Sequence, residues 1–220
     1  MGHTIAIDGP AGAGKSTIAR KIAGRLGYIY VDTGAMYRAM ALFLSRKGIG
    51  PEETERIDRA CGEADITIRY ENGEQIVLLN GENVNGLIRT EEVSRMASGS
   101  SANPNVRARL VRLQQALAAK ENVVMDGRDI GTCVLPEAEV KVYLTASVEI
   151  RAKRRFDELT AKGTACSLPE IEADIRERDH KDMTREISPL RQADDAVLID
   201  TSFMDIGEAV EAVIALCARD

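Results

Sequence analysis

The stretch IAIDGPAGAGKST spans residues 5–17 of this 220-residue chain. It begins with apolar residues typical of a buried strand and continues through a glycine-rich turn that ends in lysine, serine and threonine. Residues 14–26 then carry apolar residues four apart and are followed by Gly27, a pattern that predicts a helix with a glycine cap. A strand, a glycine turn and a helix in this order indicate the start of an α/β fold.

The composition restricts the class of protein. Hydrophobic residues make up 44% of the chain and charged residues 29%, which is typical of a globular protein. No apolar run approaches the roughly 20 residues that cross a bilayer, and no secretory signal pattern precedes the first strand. A net charge of −6 argues against a polynucleotide partner. Scattered cysteines without a C-x-x-C pair favour reduced thiols, so we expect a cytoplasmic protein. We also expect the protein to act as a monomer.

The order of the remaining elements predicts a parallel sheet with one insertion. A strand at 28–32 and a helix at 33–48 repeat the first strand–helix unit. The segments DITIRY and QIVLLN, joined by a turn at 71–74, predict a small antiparallel β insertion within residues 64–96. The core therefore comprises residues 1–63 and 97–220. Its later elements are predicted as a helix at 104–120, strands at 122–126 and 140–144, helices at 147–162 and 168–186, a strand at 196–200 and a helix at 205–218.

The glycine-rich turn matches the pattern G-x-x-x-x-G-K-[ST], in which backbone N–H groups surround phosphate oxygens. Lysine reaches the terminal phosphates of a nucleoside triphosphate in such a turn, and the hydroxyl group holds Mg²⁺. The residues predicted to bind the triphosphate are Gly9, Pro10, Ala11, Gly12, Ala13, Gly14, Lys15, Ser16 and Thr17. Asp126, at the end of a predicted strand, is a candidate second Mg²⁺ ligand together with Ser16.

Switch proteins and kinases use the same phosphate turn, so other segments must distinguish them. The chain contains no N-K-x-D or T-K-x-D segment, which a guanine-specific switch requires, and this favours a kinase. Polar loops at 32–38 and 126–129 follow predicted strands and should lie at the same sheet edge as the turn. Arg178, Asp182 and Arg185 are spaced four and three apart, which predicts one charged helix face.

Four further segments carry a specific resemblance. They are DTGAMYR (32–38), GLIRTEEVS (86–94), DGRDIGT (126–132) and ERDHKDMTR (177–185). With the phosphate turn, they resemble the bacterial cytidylate kinases, a family of nucleoside monophosphate kinases. The resemblance implies a P-loop kinase core with a five-stranded parallel sheet flanked by helices, a small antiparallel insertion that contributes to the monophosphate site, and a helical lid at about 151–168. It also implies transfer of the γ-phosphate of ATP to CMP or dCMP, with Mg²⁺ as cofactor.

The resemblance implies roles for individual residues on the acceptor side. The CMP phosphate would be bound by Arg38, Arg128 and Arg185. The sugar would be surrounded by Thr33, Asp182 and Arg178, with Tyr37 in the same site, and cytosine would be read by Ser98, Arg107 and Asp129. Cytosine offers an amino donor beside acceptor atoms, which suits a carboxylate next to arginine and serine. Arg89 matches a family arginine that faces the monophosphate.

The predicted lid contains further arginines, within EIRAKRRFDELTAKG (149–163). Their spacing places Arg151 and Arg155 on one helix face, and we expect this face to close over ATP and bring positive charge to the transferring phosphoryl group. Arg154 is expected to contact ATP. Lys15, Arg128, Arg185, Arg151 and Arg155 are thus the predicted catalytic residues.

Two alternatives remain open from the sequence. The first is a kinase of another small acceptor, such as UMP, AMP or a metabolite, on the same core. The second is a switch module that holds or hydrolyses a triphosphate without transferring its phosphate.

Overall fold

The computed structural model describes residues 2–71 and 73–217. The strands of its central sheet are β1 (Thr4–Asp8), β2 (Ile29–Asp32), β6 (Val123–Gly127), β7 (Val140–Thr145) and β8 (Val197–Asp200). They form a five-stranded sheet in the order β2-β6-β1-β7-β8, and every pairing is parallel. The predicted parallel sheet is confirmed, and β1 lies at its centre.

Helices cover both faces of this sheet, as the alternation of side chains in buried parallel strands requires. They are α1 (Lys15–Leu26), α2 (Thr33–Arg46), α3 (Thr54–Ala60), α4 (Glu91–Ser100), α5 (Pro104–Ala118), α6 (Val148–Ala161), α7 (Leu168–Thr184) and α8 (Ile206–Cys217). On β1, Ile5 and Ile7 pack in the cluster that contains α1 and α8, whereas Ala6 packs in the cluster that contains α2 and α5. No helix in the described ranges has the length and apolar character needed to span a membrane.

The predicted antiparallel insertion is also present. It consists of β3 (Ile66–Glu71), β4 (Glu74–Leu79) and β5 (Glu82–Asn83). Asn72, in the predicted turn between β3 and β4, lies outside the described residues. Asn80 and Gly81 join β4 to β5 with φ values of 50° and 82°, and a two-residue hairpin turn with both central φ angles positive explains this Asn-Gly pair.

The sequence pattern does not predict four helical segments. These are α3, the 3₁₀ helix that follows it (Cys61–Glu63), α4 and a π-helical segment (Ile130–Val134), called the π segment below. The strands of the insertion end at Asn83 and α4 begins at Glu91, so part of residues 64–96 is helical. Thr90 caps α4 by accepting the N–H of Val93 at 3.2 Å. The limits of the insertion at 64 and 96 stay a prediction.

Helix α5 has a capped N-terminus and one face that packs in the hydrophobic core. Asn103 caps it by accepting the N–H groups of Asn105 and Val106. Val106 and Leu110 are fully buried, which confirms the predicted apolar face. The helix thus packs through this face in the hydrophobic cluster that also contains residues of α2 and of the parallel sheet.

We predict that Leu110→Ala lowers the free energy of unfolding by about 2–5 kcal/mol, because it leaves a cavity under α5. Urea denaturation measures this change. Arg112→Ala, an exposed position on the same helix, is the control and should leave the midpoint unchanged. An unaltered midpoint for Leu110→Ala would show that α5 does not pack as described.

Candidate active site

A cleft opens at the carboxyl edge of the parallel sheet. Its walls come from the phosphate turn, the start of α2, helices α4, α5 and α7, and the loop after β6. Asp32 is aligned with Asp126 across the β2–β6 pair, and the end of β1 lies beside the end of β6. The predicted convergence of the strand-end loops is therefore confirmed.

The phosphate turn has the backbone that its glycines allow. Gly9, Gly12 and Gly14 have φ values of 148°, 77° and 86°, which residues with a Cβ rarely adopt. A Cβ on Gly9 would also lie 1.9 Å from the carbonyl oxygen of Leu144. The turn leads directly into α1, so its N–H groups and the helix N-terminus form one anion-binding site.

Lys15 is held inside this turn. Its Nζ donates to the carbonyl oxygen of Pro10 at 2.7 Å, and the residue is buried. Burial, with a smaller effect from Arg128, lowers the pKa of Lys15. A nearby anion would favour the charged form, so the turn is electrostatically suited to a phosphate.

Ser16 and Asp126 lie together, as predicted for a Mg²⁺ site. Ser16 Oγ donates to Asp126 Oδ2 at 2.9 Å, and Tyr30 donates its hydroxyl hydrogen to Asp126 Oδ1 at 2.9 Å. Burial, together with the charge of Asp32, raises the pKa of Asp126. A hydroxyl and a carboxylate are hard oxygen donors that fit Mg²⁺, which usually keeps several water and phosphate ligands besides one or two carboxylates. Tyr30 was not predicted as a partner.

Asp32 joins the two arginines that enter the cleft from α2 and from the loop before α4. It pairs with Arg38 at 3.2 Å and with Arg89 at 3.4 Å, and it caps α2 by accepting the N–H of Ala35. Arg38 Nε is buried without a hydrogen-bond partner among the described atoms. Arg38 is therefore oriented by a carboxylate and still has a donor to offer.

Arg107 and Asp129 form a buried ion pair. The sequence pattern places Arg107 off the apolar face of α5. In the structure its side chain is nevertheless buried, because it lies in the wall of the cleft beside Asp129. Its guanidinium lies 5.6 Å from the ring centroid of Tyr37, whose hydroxyl has no partner among the described residues. Burial raises the pKa of Tyr37 to about 12. A polar, poorly hydrated recess thus lies beside Asp129.

Asp182 joins the arginines on the opposite wall. It accepts a hydrogen bond from Arg128 Nε at 2.7 Å and lies 3.9 Å from Arg185 Nη1. Arg185 is not part of the predicted helix face, because α7 ends at Thr184 and Arg185 has an extended backbone. Its side chain nevertheless enters the cleft, 3.8 Å from Asp129.

The remaining guanidinium groups crowd one another. Burial, and then the positive charge of Arg128, lowers the pKa of Arg178. Burial, and then Arg107, lowers the pKa of Arg185. Arg185 Nη2 is buried without a hydrogen-bond partner in the described part of the chain. An anion bound between these groups would relieve their mutual repulsion.

The two predicted hydroxyl ligands lie at the cleft. Thr33 Oγ1 donates to the main-chain oxygen of Asp126 at 2.7 Å, and Ser98 lies in the wall formed by α4. Their contacts with sugar and base stay predictions. Gln75 of the insertion was not predicted: it accepts from Asp32 N at 2.8 Å and donates to Asp32 O at 3.2 Å. No local pattern could have identified it, because its partner is 43 residues away.

The arginines of α6 differ from one another more than their spacing suggests. Arg151 is buried and donates to the carbonyl oxygens of Ala146 at 2.8 Å and Ala11 at 2.9 Å, and it pairs with Asp179 at 2.7 Å. It therefore ties α6 and α7 to the phosphate turn.

Arg155 is half exposed and pairs with Glu158 on its own helix. Arg154 donates to the main-chain oxygen of Thr201 at 2.7 Å. The predicted contacts of all three arginines with the triphosphate stay predictions.

We predict that Arg151→Met lowers the free energy of unfolding by about 3–5 kcal/mol, because it leaves the Asp179 carboxylate buried and unpaired. Arg155→Met on the same helix is the matched control and should leave stability nearly unchanged. Urea denaturation of both variants checks this difference. Equal stability of the two variants would contradict the anchoring contact described for Arg151.

Comparison with known proteins gives a consistent result. A family model described as cytidylate kinase matches residues 5–219. A cytidylate kinase of Caldicellulosiruptor bescii is 50% identical over 96% of this chain and 94% of its own length. A cytidylate kinase of Carboxydothermus hydrogenoformans is 50% identical over 98% of this chain and 97% of its own length.

A solved structure of an uncharacterized protein from Eubacterium ventriosum has a TM-score of 0.50 and 11% identity and covers 99% of both chains. At that identity, the likeness concerns the fold alone. The family model and the near-complete alignments with curated relatives, together with the phosphate turn and the arginine-lined cleft, lead to one conclusion: this chain belongs to the cytidylate kinase family.

Proposed function

We propose that this chain transfers the γ-phosphate of ATP to CMP or dCMP, giving ADP and CDP or dCDP. The observation that carries the proposal is the cleft in which a triphosphate-binding turn faces a group of arginines and the buried Arg107–Asp129 pair. The turn supplies the donor site, the arginines supply a site for a second anion, and the buried pair supplies base recognition.

ATP binds along the phosphate turn in this proposal, with its phosphates on the backbone N–H groups of residues 9–17. Lys15 leaves the carbonyl oxygen of Pro10 and bonds the terminal phosphates. Ser16 and Asp126 would hold Mg²⁺, which would neutralise negative charge on the triphosphate when bound. Arg154 contacts ATP from the side of α6.

The CMP phosphate lies between Arg38, Arg128 and Arg185, with Arg89 at the entrance. Arg38 Nε and Arg185 Nη2 are buried donors without hydrogen-bond partners among the described atoms, and phosphate oxygens would satisfy them. Asp32 and Asp182 already orient these guanidinium groups, so little side-chain ordering is needed when CMP binds.

Cytosine lies against Asp129, Arg107 and Ser98. Arg107 pairs with Asp129 Oδ2, so Oδ1 is the oxygen placed to accept the cytosine amino group. Uracil presents a carbonyl oxygen where cytosine has this amino group, so it would leave Asp129 Oδ1 without the donor that cytosine supplies. The sugar lies between Thr33, Tyr37, Arg178 and Asp182.

Transfer proceeds by in-line attack of a CMP phosphate oxygen on the γ-phosphorus of ATP, with cleavage of the bond to the β-phosphate oxygen. The attacking group is already an anion, so no side-chain base is needed, and catalysis consists of positioning and charge stabilisation. Lys15, Arg128 and Arg185 offset repulsion between the two nucleotides. Arg151 and Arg155 belong to the lid, whose closure excludes water from the reaction.

We expect the enzyme to act as a monomer, because one chain supplies both the turn and the arginines of the cleft. We also expect it to act in the cytoplasm.

A coupled assay of ADP release tests the proposed function with CMP, dCMP, UMP, AMP and no acceptor. CMP and dCMP should give the highest turnover. Preferential use of UMP, AMP or another acceptor would support a different kinase, and ADP release without any acceptor would support a hydrolysing switch.

We predict that Arg128→Ala lowers kcat/KM for CMP by roughly 10²–10³-fold, the range found when a preorganised donor to a reacting group is removed. The matched control is Arg176→Ala, an exposed arginine of α7 that pairs with Glu172 and Glu149. Steady-state kinetics with circular dichroism separate loss of catalysis from loss of fold. Unchanged turnover in Arg128→Ala would remove this residue from the phosphate site.

We predict that Asp129→Asn lowers the ratio of CMP to UMP turnover by more than about tenfold, because an amide can donate to uracil where a carboxylate can only accept. Competition between CMP and UMP in one reaction measures the ratio directly. Asp195→Asn, whose carboxylate pairs with Lys141 instead, is the control. A ratio equal to that of the unmodified enzyme would mean that Asp129 does not read the base.

A further inference from the structure

Asp8 is a buried carboxylate to which the mechanism above assigns no task. It is the last residue of β1 and directly precedes Gly9 of the phosphate turn. Its side chain crosses to the neighbouring loop: Oδ1 accepts the N–H of Ile130 at 2.8 Å, and Oδ2 accepts the N–H of Gly131 at 2.7 Å. Asp8 is 5% exposed, so these bonds form away from water.

These two N–H groups begin the π segment, immediately after Arg128 and Asp129. The first N–H groups of a helical segment have no acceptor within it, and Asp8 supplies acceptors for two of them. On the other side of Arg128, Gly127 is aligned with Asp8 in the β1–β6 pair. The main chain and the side chain of Asp8 therefore anchor both ends of the Arg128–Asp129 dipeptide.

The surroundings make a carboxylate costly at this position. Burial, with a smaller contribution from Asp129, raises the pKa of Asp8 to about 6 against the opposing effects of its two amide hydrogen bonds and of Lys15. Lys141 and Asp8 both pack against Gly131, where an added Cβ would lie 3.3 Å from Lys141 Cδ and 3.5 Å from Asp8 Oδ2. A residue needed only to fill space would not have to be charged here.

We propose that Asp8 is a positioning residue for the acceptor site: by holding both ends of the Arg128–Asp129 dipeptide, it sets the place of the phosphate-binding and base-reading side chains relative to the phosphate turn. This inference rests on the proposed function, since it concerns recognition of CMP. Asp8 itself contacts neither nucleotide in this account. It links the strand that carries the donor site to the loop that reads the acceptor.

The test is Asp8→Asn, which keeps the shape of the side chain but replaces one acceptor oxygen with an NH₂ group that faces a backbone N–H. KM for CMP should rise at least tenfold and the CMP to UMP turnover ratio should fall, because Arg128 and Asp129 lose their common anchor. KM for ATP should stay within twofold, because the contacts of the phosphate turn are unchanged.

Thr4→Val is the matched control. Thr4 lies at the other end of β1, and its hydroxyl also donates to a distant carboxylate, that of Glu139, at 2.6 Å. This variant should lose stability without any change in KM for CMP or in the CMP to UMP ratio. Asp8→Glu is a second probe that keeps both carboxylate oxygens but displaces them by one methylene, and it should change the two acceptor measurements in the same direction as Asp8→Asn.

The outcomes are distinct. If the unmodified enzyme does not phosphorylate CMP, the proposed function fails before Asp8 is tested. If it does, and folded Asp8→Asn has unaltered KM for CMP and an unaltered CMP to UMP ratio, the positioning role is wrong. An equal rise in KM for CMP and ATP would also overturn it, since Asp8 would then act on the phosphate turn. If Asp8→Asn does not fold, unchanged acceptor measurements in folded Asp8→Glu have the same meaning.

Discussion

Repulsion between guanidinium groups is the constraint on which the cleft depends. Six arginines line one opening at the carboxyl edge of the sheet, namely Arg38, Arg89, Arg107, Arg128, Arg178 and Arg185. They coexist because three carboxylates lie between them: Asp32 beside Arg38, Asp129 beside Arg107 and Asp182 beside Arg128. A chain with a net charge of −6 thereby presents a local site for anions.

Buried ion pairs of this kind are a weak source of stability, because desolvation offsets much of their attraction. Their value here is geometric. Each carboxylate orients an arginine. Donors such as Arg38 Nε and Arg185 Nη2 nevertheless have no hydrogen-bond partner among the described atoms. Preorganised charge is what phosphoryl transfer requires, since the protein contributes position and electrostatics and little covalent chemistry. These ion pairs therefore add little to stability, and in the proposed function a second anion completes the site that they form.

Local pattern in the sequence was sufficient for the sheet, the phosphate turn and the loops that converge on them. Strand–helix alternation and the carboxyl-edge rule predict that Asp126 and Arg128 lie beside the turn. What could not be predicted depends on contacts between distant segments. Arg107 is buried on a helix whose apolar face lies elsewhere, and Gln75 reaches Asp32 from an insertion whose docking position no local periodicity encodes. The partners of Asp8, in the loop after β6, could not be predicted either.

The most direct test of the central claim is a crystal structure of the enzyme with CMP bound. The account predicts the phosphate among Arg38, Arg128 and Arg185, with Asp32 and Asp182 still beside their arginines, and the cytosine amino group within hydrogen-bond distance of Asp129. A complex in which the phosphate lies away from these arginines, or in which the pyrimidine ring does not approach the loop after β6, would contradict it.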